Sequence, residues 1–305
     1  MATETRILDL AETTEVYRSR SFWIDALHHF VRDRLSMAAL GMLLILTLIC
    51  YVGPSVAENI LKVDVNRTNL ANRYTPPGQG NLLGTDHLGR DQFIRLLYGG
   101  RVSLSIAYTA SLLSITIGVV VGIISGYYGG TVDDLIMWFI NTLESVPTIF
   151  LLLIAATVWS PSAEVLILIL GALGWVTTCR LVRGQVLSLK ERDFMMAARA
   201  VGARDWWLML QHILPNTLSI VIISLTINAG SLILIESGLS YLGLGVQPPT
   251  PTWGNMLTES RSYFVQGTHL VVWPGLLITL TVLCFYLVGD GLRDALDPRN
   301  VRGRT

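Results

Sequence analysis

The chain has 305 residues, 51% hydrophobic and 14% charged, with a formal net charge of zero and a mean hydropathy of +0.53. A soluble domain carries about 25% charged residues, so the composition excludes a soluble globule and predicts an all-α polytopic membrane protein. Zero net charge removes any bulk electrostatic case for nucleic acid. The three cysteines, Cys50, Cys179 and Cys284, lie in or beside apolar runs, as small buried hydrophobes without metal or disulfide spacing.

Residues 1–36 read as a polar, basic tail, longer than the leading region of a secretory signal. Within it Phe22, Trp23, Ala26, Leu27, Phe30 and Val31 fit an amphipathic helix on the membrane surface. A six-span body over 37–290 follows, with expected spans at 37–56, 102–125, 135–159, 163–179, 216–236 and 270–289, each near the ~20 residues a bilayer requires. Residues 291–305 form a second tail. In the second span Gly118, Gly122 and Gly126 share one helix face and allow another helix to come close. In the long polar loop before that span, Asp86, His87 and Asp91 resemble metal ligands in type. The stronger reading is turn capping, with Arg90 paired to either aspartate.

Intramembrane acids are functional candidates by default. Glu144 stands three residues before Pro147 inside the third span, where proline frees a backbone carbonyl. Two readings stand side by side: an acid lining a pathway with Pro147, or a carboxylate satisfied by Thr142, Ser145 or a neighbouring helix. Glu236 and Asp290 lie near interfaces, where structural pairing or snorkelling is expected.

Residues 193–215, DFMMAARAVGARDWWLMLQHILP, form a charged, aromatic island between two apolar runs. Phe194, Ala197, Ala198 and Val201, and then Trp206, Met209, Leu210 and Ile213, follow i, i+3, i+4, i+7 spacing. Gly202 and Ala203 between them allow a sharp bend, and Pro215 suits a helix's first turn. The segment is therefore two short helices about a bend, either lying on the lipid surface or pressing on a partner outside the bilayer. Further on, Pro248, Pro249, Pro251, Trp253 and Gly254 form a stiff segment between two spans, read as a lid. A short helix is expected over 255–266.

Arginine and lysine counts set the orientation. Five basic residues in the N-terminal tail, six in 180–215 and four after 290 stand against seven in the opposite loops. Both termini and the bent pair are therefore expected in the cytoplasm, and the loops around 58–101 and 237–269 outside. The chain has no phosphate-binding G-x-x-x-x-G-K-[ST], no H-E-x-x-H and no G-x-S-x-G, so enzyme activity and a resident cofactor or metal are not expected.

The 193–215 run resembles the EAA loop of bacterial ABC importer permeases, with Ala197, Ala198, Gly202, Leu214 and Pro215 at matching spacing. Met196 stands in place of the glutamate and His212 in place of the isoleucine. With LLGTDHLGRD, LLYGGRVSL, ESGLSYLGLGVQPPTPTWGNML and DGLRDALDPR in order, nearly the whole chain from Trp23 resembles the C-type permease of dipeptide, oligopeptide and nickel importers. The resemblance implies a type I importer permease fold with a cytoplasmic coupling helix, in which Ala197, Ala198, Arg199, Gly202, Ala203 and Arg204 dock on an ATPase. It also implies a B-type permease partner, two cytoplasmic ATPase subunits that bind ATP and Mg, an extracellular binding protein and surrounding lipid. Such families carry peptides, nickel chelates or oligosaccharides. The alternative from another class is an ion-coupled carrier using Glu144, though the paired broken helices of such carriers are not visible.

Overall fold

The computed structural model describes residues 22–59, 64–78, 80–159, 162–260, 265 and 267–297. Residues 1–21 and 298–305 of the two expected tails, and residues 261–264 and 266 of the expected 255–266 helix, lie outside the described residues. The helices are α1 (Phe22–Arg32), α2 (Arg34–Asn59), α3 (Gln92–Tyr128), α4 (Gly130–Glu144), α5 (Thr148–Val158), α6 (Ala163–Leu189), α7 (Asp193–Ala200), α8 (Asp205–Leu208), α9 (Leu214–Tyr241), α10 (Trp253–Ser260) and α11 (Thr268–Leu296). Among the described residues there is no strand, only a bridge between Thr85 and Asp91.

Among the described residues, five helices are long and apolar enough to cross a membrane: α2, α3, α6, the continuous stretch Asp205–Tyr241, and α11. A sixth crossing results if α4 and Thr148–Ala155, bent by 79° at their junction, count as one. Pro147 explains the break. It has no N–H to continue the ladder, and its ring disfavours a helical conformation at Val146. Side chains cap some of the other helix starts: Asp33 accepts from the N–H groups of Leu35 (3.2 Å) and Ser36 (3.3 Å) before α2, and Asp91 from Ile94 (3.0 Å) before α3.

The core is organised around α3, which runs beside α6 and also meets α2, α9 and α11. The glycine row sets the α3–α6 distance. A Cβ on Gly118 would lie 2.7 Å from Thr178 Cβ, one on Gly122 2.7 Å from the Cys179 carbonyl oxygen, and one on Gly126 2.8 Å from Val186 Cβ. The stripe thus serves packing within this one bundle. On the opposite side of the molecule α2 exposes Leu44, Ile45, Leu48, Ile49 and Val52, an uninterrupted apolar face suited to lipid. Helix α1 buries Ala26 and Phe30, the latter in the cluster with Ala295 of α11, and turns Ile24, Leu27 and Val31 outward.

Candidate functional site

The bent pair forms as two helices joined by a left-handed glycine. Gly202 has φ +84°, its N–H bonds to the Arg199 carbonyl (2.9 Å), and Ala203 N–H reaches back to the Ala198 carbonyl (3.1 Å). This is a Schellman ending, which glycine adopts without the Cβ penalty. Space around Gly202 is open, with nothing within 4 Å of an added Cβ. After the bend, α8 runs into a π turn, Met209–Ile213, in which Leu214 N–H bonds to the Met209 carbonyl five residues back. Pro215 follows directly. Its missing N–H and its ring are accommodated by this local widening.

The apolar rows read from the sequence are mostly the outward ones. Phe194, Val201, Trp206 and Leu210 are exposed, Val201 at 86%, while Met195, Leu208 and Ile213 are fully buried against Ile115, Val119, Ile123, Val182 and Val186. Tyr127, at the C-terminal end of α3, fixes the segment: its hydroxyl donates to Asp205 (2.6 Å), and the Arg199 guanidinium lies 5.3 Å over its ring. Ala197, Arg199, Gly202 and Arg204 are exposed, and Ala198 and Ala203 half-buried. The result is a rigid knuckle with an anchored underside and an uncovered apolar outer surface. Beside it, a cleft of about 900 Å³ runs between α6, α9 and α11, with Gln185, Asn216, Ser219 and Arg293 on its walls.

At the other end of α9 the proline-rich segment divides. Pro248 and Pro249 are exposed, whereas Pro251, Trp253 and Gly254 are buried. Trp253 is 0% exposed; its indole N–H donates to the Leu96 carbonyl (3.0 Å) and its backbone N–H to Ser103 Oγ (3.2 Å). Gly99 and Gly100 of α3 make room for it, and Gly254 sits on Ser237 and Ser240 of α9. Asn255 orders the turn by donating to the carbonyls of Val246 (3.0 Å) and Thr250 (2.8 Å). Three of the five residues read as a lid are thus a plug wedged between α3 and α9, and α10 starts at Trp253 rather than Asn255.

Glu236 departs from the expected pairing or snorkelling. It is fully buried, forms no ion pair among the described residues, and accepts hydroxyl bonds from Ser240 (2.8 Å), Ser103 (3.2 Å) and Ser237 (3.4 Å). Hydroxyl donors are what a buried carboxyl needs when no cation is near. Asp290 is exposed.

Outside the plug, Arg90 bonds Asp86 (2.6 Å) and Glu259 (2.8 Å), and Arg95 lies 3.0 Å from Glu259 and 3.5 Å from Asp86. Two guanidinium and two carboxylate groups balance, joining the 64–91 loop to α10. Ligand atoms of Asp86, His87 and Glu259 lie within 4.8 Å of one another, but both carboxylates are committed to arginines. Asp91 is occupied as a helix cap.

Glu144 ends α4, with its side chain 43% exposed, and pairs with Arg180 of α6 at 2.5 Å; Arg180 also donates to Asn141 (2.9 Å). Of the groups considered for it, the neighbouring helix supplies the partner, while Thr142 and Ser145 hydroxyls bond backbone carbonyls. Periodicity carried no signal for Tyr127, Asp205, Arg180 or Glu259. Their partners lie on other helices, far away in sequence.

Comparison with known proteins accords with this architecture. Residues 118–302 match the family described as binding-protein-dependent transport system inner membrane component, and residues 21–77 match the N-terminal TM domain of oligopeptide transport permease C. The oligopeptide transport system permease protein OppC of Haemophilus influenzae is 37% identical over 283 residues, covering 92% of this chain and 90% of that one. The glutathione transport system permease protein GsiD of Pectobacterium atrosepticum is 38% identical over 284 residues, covering 92% and 91%. The dipeptide transport system permease protein DppC of Bacillus subtilis is 35% identical over 282 residues, covering 92% and 87%. Among solved structures, the MetNI methionine ABC transporter in inward-facing conformations shares the fold at TM-score 0.55 and 18% identity, covering 67% of this chain and 97% of that chain. These matches leave the ion-coupled carrier without support. The chain belongs to the binding-protein-dependent transport system inner membrane component family, the multi-pass permease subunits of ABC importers.

Proposed function

We propose that the chain forms one half of the translocation pathway for peptides or similar small solutes handed over by an extracellular binding protein. The observation that carries this reading is the knuckle at Gly202, where Val201, Trp206 and Leu210 are uncovered on a segment whose underside is fully anchored. An exposed apolar surface on a rigid, charged, bent pair fits insertion into a groove of a soluble partner. The likeness of 193–215 to the coupling loop of ABC importer permeases and the basic-residue asymmetry support a cytoplasmic ATPase as that partner. Ala197, Ala198, Arg199, Gly202, Ala203 and Arg204 are its docking residues. ATP and Mg belong to two such ATPase subunits, and a homologous B-type permease completes the membrane part, with both termini cytoplasmic.

Because Asp205–Tyr241 is one continuous rod, displacement of the knuckle moves the outer end of α9 as well, together with the plug that Ser103, Ser237 and Ser240 hold. Pro248 and Pro249 at the exposed tip then face the binding protein, and ATP turnover biases the two states, as solute binding alone cannot. The test is Gly202→Asp in the assembled complex. It places a side chain at a positive φ and a charge in a surface that docking would desolvate. The expected result is normal insertion and pairing with the partner permease but weakened ATPase co-purification or uncoupled hydrolysis. Normal uptake with normal ATPase binding would return the segment to an interfacial loop.

A further inference from the structure

Helix α4 climbs antiparallel to α6: Asp133 meets Arg183, and Ile140 packs in a cluster with Trp175, Val176 and Cys179. Glu144 is one turn beyond Ile140, and its partner Arg180 lies about two-thirds of the way along the 27-residue α6, nine residues before its end at Leu189. The pair is not sealed, since both side chains are more than two-fifths uncovered, at 42% and 43%. Directly after it the backbone breaks by 79°, and residues 144–150 are all exposed. Hydrocarbon tolerates neither an uncovered ion pair nor non-helical backbone. The apolar face of α2 shows what a lipid-facing surface of this chain looks like, and this face differs from it.

The two arginines of α6 are held differently. Arg183 forks onto both oxygens of Asp133 through Nε and Nη2, and Ser125 completes the cage. That pair is fixed and structural. Arg180 makes both its contacts, to Glu144 Oε2 and Asn141 Oδ1, through Nη2 alone. The planar guanidinium matches a carboxylate best as a two-nitrogen fork, and this arrangement leaves such a fork unformed. A solute carboxylate can therefore compete for Arg180 on better geometric terms than Glu144 has.

Resting on the pathway reading above, we propose that Arg180 is the anion-binding group of this chain's half of the pathway. It takes the carboxylate of a passing solute, such as a peptide C-terminus, in exchange for Glu144, and Glu144 re-pairs with it once the solute has left. No bond is made or broken; two ion pairs exchange.

The test uses the full complex with partner permease, ATPases and binding protein, with Cys50, Cys179 and Cys284 replaced by serine and a single cysteine at Ser145. Reaction of that cysteine with water-borne thiosulfonate reagents reads access to the break. With Glu144→Gln, an anionic reagent should react about tenfold faster than a cationic one, and adding Arg180→Gln should abolish the preference. A cysteine that stays silent through the ATP cycle of a transporting complex, or one without charge preference, overturns the proposal by placing a partner helix over this face. In uptake, Arg180→Gln should slow a tripeptide about tenfold and spare its C-terminal amide, with partial rescue by Arg180→Lys. Equal losses for both peptides also overturn it. If the unmodified complex moves neither peptide, the peptide reading of the preceding section fails, and the reagent ratio still decides the role of Arg180.

Discussion

Tyr127 donates its hydroxyl to the Asp205 carboxylate at 2.6 Å, so the C-terminal end of the central helix holds the helix that follows the Gly202 bend. A hydrogen bond to a charged acceptor contributes about 1.5–3 kcal/mol when shielded; with Asp205 exposed, about 1 kcal/mol is the better figure. Tyr127→Phe keeps the ring under Arg199 and removes only this bond. The expected result is a roughly fivefold faster amide exchange over 193–213, with the spans unchanged. Unchanged exchange there would assign the anchoring to Met195, Leu208 and Ile213 alone.

The α3–α6 contact can be tested with two alanines of opposite sign. At Gly122 the new Cβ would lie 2.7 Å from the Cys179 carbonyl oxygen and 3.0 Å from Val182 Cβ. The overpacking cost of about 1–3 kcal/mol exceeds the propensity gain of up to ~1 kcal/mol. At Gly184, on the same pair of helices, nothing lies within 4 Å, so only the propensity gain applies. Thermal melts should therefore fall for Gly122→Ala and hold or rise for Gly184→Ala. Identical shifts would mean that the glycine row does not set the helix separation.

The ion network that joins the 64–91 loop to α10 should be sensitive to loss of one member. Glu259→Gln removes the acceptor charge from Arg90 (2.8 Å) and Arg95 (3.0 Å), whose side chains are only 5% and 1% exposed. Breaking a buried pair costs about 3–5 kcal/mol. Glu164→Gln, at an exposed position, should stay within about 0.5 kcal/mol. Denaturation of the purified protein compares the two, and a Glu259→Gln effect no larger than the Glu164→Gln effect would refute a stabilising network.

Orientation is open to direct labelling. Cysteines at Gly78 and Thr250, both exposed, should react with an impermeant thiol reagent from outside intact cells, and one at Arg204 should not. Pro251 is a poor reporter because it is buried. Reaction at Arg204 in intact cells would invert the topology and remove the ATPase from the knuckle.

What the sequence by itself determined is whatever depends on local pattern. Apolar run length placed the spans, Gly118, Gly122 and Gly126 announced a close helix contact, and Gly202 between two short apolar rows announced the bend, because turn chemistry and periodicity are properties of neighbouring residues. Only the tertiary structure decided which face each row presents and which charges meet. Phe194 and Val201 share a periodic row yet point outward, since the underside of the knuckle is chosen by the shape of α3 and α6. Glu236 lies among the hydroxyls of Ser103 and Ser240, and Trp253 is wedged over Gly100, through contacts spanning more than a hundred residues. Arg180 meets Glu144 because α4 packs beside α6. Such pairings are fixed by helix crossing and by the need to satisfy buried polar groups, and neither leaves a period in the chain.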